Sequence, residues 1–150
     1  SVISINSSTG ALSFDTAPDY EGKSRYPTSD NSNEAYLISV TDGTNTSTQS
    51  LIINITDVNE APEFSGEATF SAAENQTAIG TVTASDDDGD TLTYSITGSD
   101  ITINSSTGVI AFASAPDYET KSSYTATVTA SDGTNSTTQS ITVNVTDVSE

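Results

Sequence analysis

The chain has 150 residues and a formal net charge of −18, with Lys23, Arg25 and Lys121 as its only basic side chains. Nucleic-acid binding needs clustered Lys and Arg on phosphates, so that partner is excluded; an anionic membrane surface is disfavoured on the same ground, and no apolar run approaches the roughly 18 residues of a membrane span. Cysteine and histidine are absent, which removes disulfides, thiol chemistry, the usual zinc ligands and the Ser-His and Cys-His nucleophile pairs.

In chain order, residues 3–15 and 36–57 read as two hairpin-like halves, separated by the polar stretch PTSDNSNE at 27–34. A Pro-containing joint, DVNEAPEF, follows at 57–64. Beyond it, seven strands are expected near 67–73, 77–85, 91–97, 100–104, 108–113, 122–131 and 138–147. Apolar and polar residues alternate within them: Leu92, Tyr94 and Ile96; Tyr124, Ala126, Val128 and Ala130; Ile141, Val143 and Val145. Period-two patterning with abundant Thr and Val, and turn signals every 8 to 12 residues, is the signature of an all-β sandwich.

The two parts repeat each other. INSSTGALSFDTAPDYE (5–21) matches INSSTGVIAFASAPDYE (103–119) at 12 of 17 positions. DGTNTSTQSLIINITDV (42–58) matches DGTNSTTQSITVNVTDV (132–148) at 11 of 17. The offsets are 98 and 90 residues, and the insertion at 27–34 accounts for the difference. Ser1 aligns with Ser99, so residues 62–98 have no counterpart in the first copy. The expected organisation is a partial repeat at 1–60, lacking its first three strands, and a complete repeat at 61–150.

The stretch ASDDDGDTLTY (84–94) places Asp86, Asp87, Asp88 and Asp90 within five residues. Two unit charges 4 Å apart interact by about 4 kcal/mol at an effective dielectric near 20. Such a cluster is either fully solvated or gathered around a cation. An EF-hand loop does not fit. With Gly89 as the sixth residue, the first would be Ala84 and the twelfth Ser95, and neither is the required ligand.

Read together, AEN (73–75), GTVTASDDDGD (80–90), STGVIAF (106–112), PDYE (116–119), YTATVTASDG (124–133), VNVTDV (143–148) and the joint DVNEAPEF resemble the cadherin repeat. They look most like the cadherin-like repeats of long bacterial surface adhesins. The resemblance implies tandem seven-stranded Greek-key sandwiches of Ig-like type, the first one incomplete, with Ca²⁺ held between successive repeats. The implied junction ligands are Asp19 and Glu21 from the first repeat, Asn59 and Glu60 from the joint, and Asp86, Asp88 and Asp132 from the second, with Asp90 as an extra candidate. A second group, Glu74, Asp117, Glu119 and Glu150, corresponds to the junction with a following repeat. Glu60 replaces an expected Asp and Ser149 an expected Asn, and the first repeat has no counterpart of Glu74.

Other features have plainer readings. Tyr20 and Tyr118, in PDYE, are expected to pack on the sandwich and orient the flanking acids rather than stack on sugars. Phe14 and Phe112, and Tyr26 and Tyr124, are expected core. Asn-x-Ser/Thr sequons occur at Asn6, Asn45, Asn54, Asn75, Asn104, Asn135 and Asn144, and Asn54 and Asn144 should face outward. The Thr-x-Thr pairs are ordinary solvent-side strand residues.

The expected function is a calcium-binding extracellular adhesion or structural module, secreted or at a cell surface. It is not an enzyme. Its partners are neighbouring repeats of the same protein or other copies of it, with a cell-surface or carbohydrate target as a further possibility. A subunit of a self-assembling filament, whose half domain is completed by strands from another chain, is the main alternative. A carbohydrate-binding β-sandwich is a lower one.

Overall fold

A computed structural model describes residues 3–22 and 36–149. The insertion at 27–34, Tyr26 and the metal candidate Glu150 lie outside the described residues. The chain divides into two compact units, Ser1–Val58 and Asn59–Glu150.

The second unit is a two-layer sandwich. One layer is a four-stranded sheet in the order β6 (Thr69–Ala73), β13 (Ser136–Thr146), β12 (Ser123–Ser131), β9 (Thr93–Ile96). The other is a three-stranded sheet, β10 (Ile101–Ile103), β11 (Val109–Phe112), β7 (Ala78–Thr81). A short pair, β5 (Glu63–Phe64) with β8 (Ala84–Ser85), closes one end. All pairings are antiparallel except β13 with β6, which is parallel in the register Thr142 to Thr69 through Thr146 to Ala73.

The alternation seen in the sequence is the alternation of the core. Val128 and Ala130 of β12 and Ile141, Val143 and Val145 of β13 are buried, as are Ile101, Ile110 and Phe112 from the facing sheet. Val82, Tyr94 and Ala72 complete the cluster. Covering each large side chain contributes about 1.5–3 kcal/mol. A one-residue slip of β13 would turn its three inward residues to solvent, so the pattern sets the register. Phe112 and Tyr124 meet edge to face at 5.0 Å and 64°. Lys121 lies 4.0 Å above the Tyr124 ring while bonding Asp100 at 2.7 Å.

The first expected strand, 67–73, is β6, and β5 before it at Glu63–Phe64 was not expected; the two pair with different neighbours. The turn at residues 65–68 carries the chain from one sheet to the other, and Gly66 lies so close to Thr83 that a Cβ there would meet its hydroxyl. The second, expected at 77–85, is interrupted between β7 and β8, where the Val82 N–H donates to the Gly108 carbonyl at 3.0 Å.

The first unit contains two hairpins, β1 (Ile3–Ile5) with β2 (Leu12–Phe14) and β3 (Tyr36–Thr41) with β4 (Thr46–Leu51). Among its described residues none is buried. The strand β4 stops at Leu51, the counterpart of Ile141. In the second unit the next residues, 142–146, are held by the parallel strand β6. No described strand plays that part beside 52–56.

Gly108 sits at φ +71°, and a Cβ there would collide with the Val82 carbonyl. Gly108→Ala combines a left-handed backbone cost of about 1–2 kcal/mol with overpacking of about 1–3 kcal/mol. Urea unfolding of the second unit should show a loss of at least about 2 kcal/mol; a smaller loss would mean that β7 and β11 can separate without penalty.

Candidate metal-binding sites

Acidic side chains gather at the two ends of the long strands β12 and β13. Alternating backbone pairing runs the length of both strands, so groups that precede β12 or end β13 lie at one end, and groups that follow β12 or precede β13 lie at the other.

At the end nearer the joint, Asn59 and Glu60 enter the second unit beside three aspartates. The Asn59 side-chain amide donates to Asp132 Oδ2 at 2.7 Å. The Glu60 N–H donates to Asp88 Oδ2 at 3.0 Å. Asp132 Oδ1 accepts the N–H groups of Thr134 and Asn135, each at 2.6 Å. Desolvation pushes the Asp132 carboxyl up, but the hydrogen bonds from Thr134, Asn59 and Asn135 outweigh it, and its pKa lies below the ordinary value. Asp86 Oδ1 accepts the N–H groups of Asp88 and Asp90 at 3.1 and 3.3 Å. Asp86 Oδ2 is buried and has no hydrogen-bond partner. A buried carboxylate oxygen without a partner costs more than the 1–3 kcal/mol typical of a neutral group.

Asn135 belongs to this end too, although the sequence reading treated it only as a sequon. Its side-chain amide donates to the carbonyls of Asn59 and Glu60 at 3.0 and 3.1 Å. The doubled DGTN motif was the available signal: its Asp ties the turn and its Asn ties the joint. The copy at Asp42 shows the same turn, with Asp42 Oδ1 accepting from Thr44 and Asn45. Those bonds, from Asn45 first and then Thr44, hold the Asp42 pKa below its ordinary value.

At the other end, Glu74, Glu119 and Asp147 bring one carboxylate oxygen each within 4.8 Å of the others. Glu74 directly follows β6 and is 4% exposed. Its Oε2 accepts the Tyr118 N–H at 2.9 Å and its Oε1 the Val148 N–H at 2.8 Å. A hydrogen bond with its own backbone draws the Glu119 carboxyl down, but desolvation and the charges of Glu74, Asp147 and Asp117 together win, and its pKa is raised.

Asp147 was not among the residues expected from the sequence, although its place in the repeated TDV motif marks it. Asp117 was expected beside Glu119, but its carboxylate accepts from the Thr120 hydroxyl at 2.8 Å and the Thr120 N–H at 3.2 Å. Those bonds, the hydroxyl foremost, lower its pKa. Tyr118, 38% exposed, donates its backbone N–H to Glu74. Asp90 is exposed, and its part in the first group is played by its N–H. In the first unit, Asp19 Oδ1 accepts from Glu21 and Gly22 at 3.1 and 2.9 Å, the turn geometry of Asp42 and Asp132. Asn54 and Asn144 face solvent.

The cadherin domain family model matches residues 68–146. The chain belongs to the cadherin domain family, whose domain is a non-enzymatic adhesion module. No match was found among curated proteins. Among solved structures, human protocadherin-24 EC1-2 is similar at 29% identity and TM-score 0.56, over 60% of this chain and 45% of that one. The protocadherin gammaB4 extracellular domain is similar at 28% identity and TM-score 0.58, over 97% of this chain and 26% of that one. Drosophila N-cadherin EC1-3 shares the fold at 20% identity and TM-score 0.55, over 69% and 41%. The chain spans less than half the length of each of these structures. No helix among the described residues is long and apolar enough to cross a membrane.

Glu119 gives a sign test. Its protonated form is favoured in the folded, metal-free state, so that contribution is complete below the unfolded value near 4.5 and is lost as pH rises through the raised folded value. Metal-free Glu119→Gln should therefore melt higher than the parent at pH 7 and no higher at pH 4. Equal melting at both pH values would show that the three carboxylates do not repel.

Proposed function

We propose that the chain is a calcium-binding extracellular adhesion module, and that Ca²⁺ held between its repeats stiffens a stalk or fibre. The observation that carries this reading is the buried, unpartnered Oδ2 of Asp86, set in a group with Asp88, Asp132, Asn59 and Glu60. That donor set fits a hard cation. Ca²⁺ takes six to eight oxygens in flexible geometry, and every candidate here offers oxygen. When bound, the ion supplies positive charge that no side chain of this end provides.

The protein's own groups do the positioning. The Glu60 N–H and the Asn59 amide orient Asp88 and Asp132 before any ion arrives. The Asn135 amide fixes the joint's carbonyls. The first repeat completes the set in this proposal. Asp19 and Glu21 are the counterparts of Asp117 and Glu119, and Asp57 is the counterpart of Asp147. Since Glu119 and Asp147 meet at Glu74 in the complete repeat, Glu21 and Asp57 join Asp19 as the first repeat's donors. The second group, Glu74, Glu119 and Asp147, is the corresponding half-site for a following repeat, with Asp117 and Glu150 beside it.

Calorimetric titration of the chain should give saturable Ca²⁺ binding in about the 10⁻⁴–10⁻³ M range. Asp86→Asn keeps the oxygen that binds the Asp88 and Asp90 N–H groups and removes the charge, and should weaken binding at least about tenfold, the loss of 1.4 kcal/mol of interaction. Glu21→Gln should weaken the same event if the first repeat contributes. An unchanged titration for Asp86→Asn would sink the site; an unchanged titration for Glu21→Gln alone would confine it to the second unit.

A further inference from the structure

Asn135 uses its backbone and its side chain for two different tasks. Its N–H donates to Asp132 Oδ1 at 2.6 Å. Its carbonyl accepts from the Asp132 N–H at 3.2 Å and from the Ser131 hydroxyl at 3.0 Å. Those main-chain bonds close the DGTN turn between β12 and β13. The side-chain amide takes no part in them and reaches instead to the carbonyls of Asn59 and Glu60, at 3.0 and 3.1 Å.

The two carbonyls are not left in the same state. A carbonyl oxygen has two lone pairs. That of Glu60 accepts from Asn135 and also from the Asn59 side-chain amide at 2.8 Å, so both are engaged. That of Asn59 accepts from Asn135 and keeps a lone pair for a further partner. The same two residues are tied by the Glu60 N–H to Asp88 and by the Asn59 amide to Asp132. Beyond them Pro62 is fully buried and β5 pairs with β8. All of these contacts lie inside the second unit, and none of them needs a cation.

We infer that Asn135 is the positioning residue of the joint: its side chain latches 59–60 onto the second unit before any ion binds, and leaves the Asn59 carbonyl, not that of Glu60, as the main-chain oxygen offered to the ion. The inference rests on the calcium reading for the ion it serves, while the latch itself stands apart from that reading. A donor group already held in place loses less freedom on binding, and the affinity rises accordingly. Outer groups that orient ligands act on metal sites in this way. An amide suits the task here. Its two N–H groups reach two successive carbonyls, and it brings no positive charge that would repel a cation, as a lysine would.

The experiment measures amide exchange by NMR in chelator and Ca²⁺ affinity by calorimetry, on the full chain and two variants. In the parent the Glu60 amide should be protected without metal. Asn135→Ala should speed its exchange and weaken Ca²⁺ binding, each by at least about fivefold, the contribution of two neutral hydrogen bonds. The amides of 123–131 and 138–146 should be unchanged, because the turn is closed by main-chain groups. Asn135→Asp keeps the size and an oxygen but removes the donors, and should restore neither property. Unchanged Glu60 exchange in Asn135→Ala would overturn the latch. Faster exchange with unaltered Ca²⁺ affinity would overturn the positioning role. Tighter Ca²⁺ binding by Asn135→Asp than by the parent would show an oxygen ligand instead and overturn it equally. A parent that binds no Ca²⁺ would remove the calcium reading, and the positioning role with it, while Glu60 exchange would still decide the latch.

Discussion

A sheet with one apolar face is stable only when a second layer covers that face and its outer strands find partners. Everything else in this molecule depends on that condition being met at 59–150. There the inward residues of β12 and β13 meet those of β10 and β11, and β6, β7 and β9 take the remaining edges. The same inward residues, in nearly the same sequence, stand in the first unit, where no described strand is an equivalent of β6, β7 or β9, and none of the described ones is buried. Local patterning is nearly equal in the two copies; among the described residues, the covering strands are what differs. This comparison within one chain separates the propensity to form strands, which both copies have, from the packing that makes a core.

The completed sandwich determines where the acids stand. Strands β12 and β13 are long and straight enough to hold two acidic groups apart, and each group is wired to backbone N–H donors rather than to basic side chains. Glu74 is the plainest case: buried, with both carboxylate oxygens accepting from the N–H groups of Tyr118 and Val148. Asp132 and Asp88 are bound in the same manner at the other end. Hydrogen bonds of this kind fix a carboxylate's direction. They leave negative charge concentrated, as the raised Glu119 shows. A cation is the complement such a surface lacks, and the unpartnered oxygen of Asp86 marks where that lack is sharpest.

Much of this was legible before any coordinates. The period-two alternation indicated a β-sandwich, the doubled INSSTG and DGTN motifs a repeat, and the resemblance to the cadherin repeat a set of candidate ligands. What escaped was set by long-range contacts. The short strand β5, which the reading of the sequence missed, exists through its partner Ala84–Ser85, while β6 pairs with the end of β13. The bond from Asn135 to the joint carbonyls spans about 75 residues of sequence. Thr120 draws the Asp117 carboxylate into a local turn, while Asp147 reaches Glu74 and Glu119 from the far end of another strand.

The sequence by itself determined the strands, their inward and outward sides, the repeat and the chemical type of the ligands, because each of these follows from residue identity and spacing along the chain. Only the tertiary structure decided which carboxylates lie together and which oxygen is left without a donor. Those outcomes depend on strands brought together across the whole repeat, where partner and register come from packing rather than from neighbours in sequence.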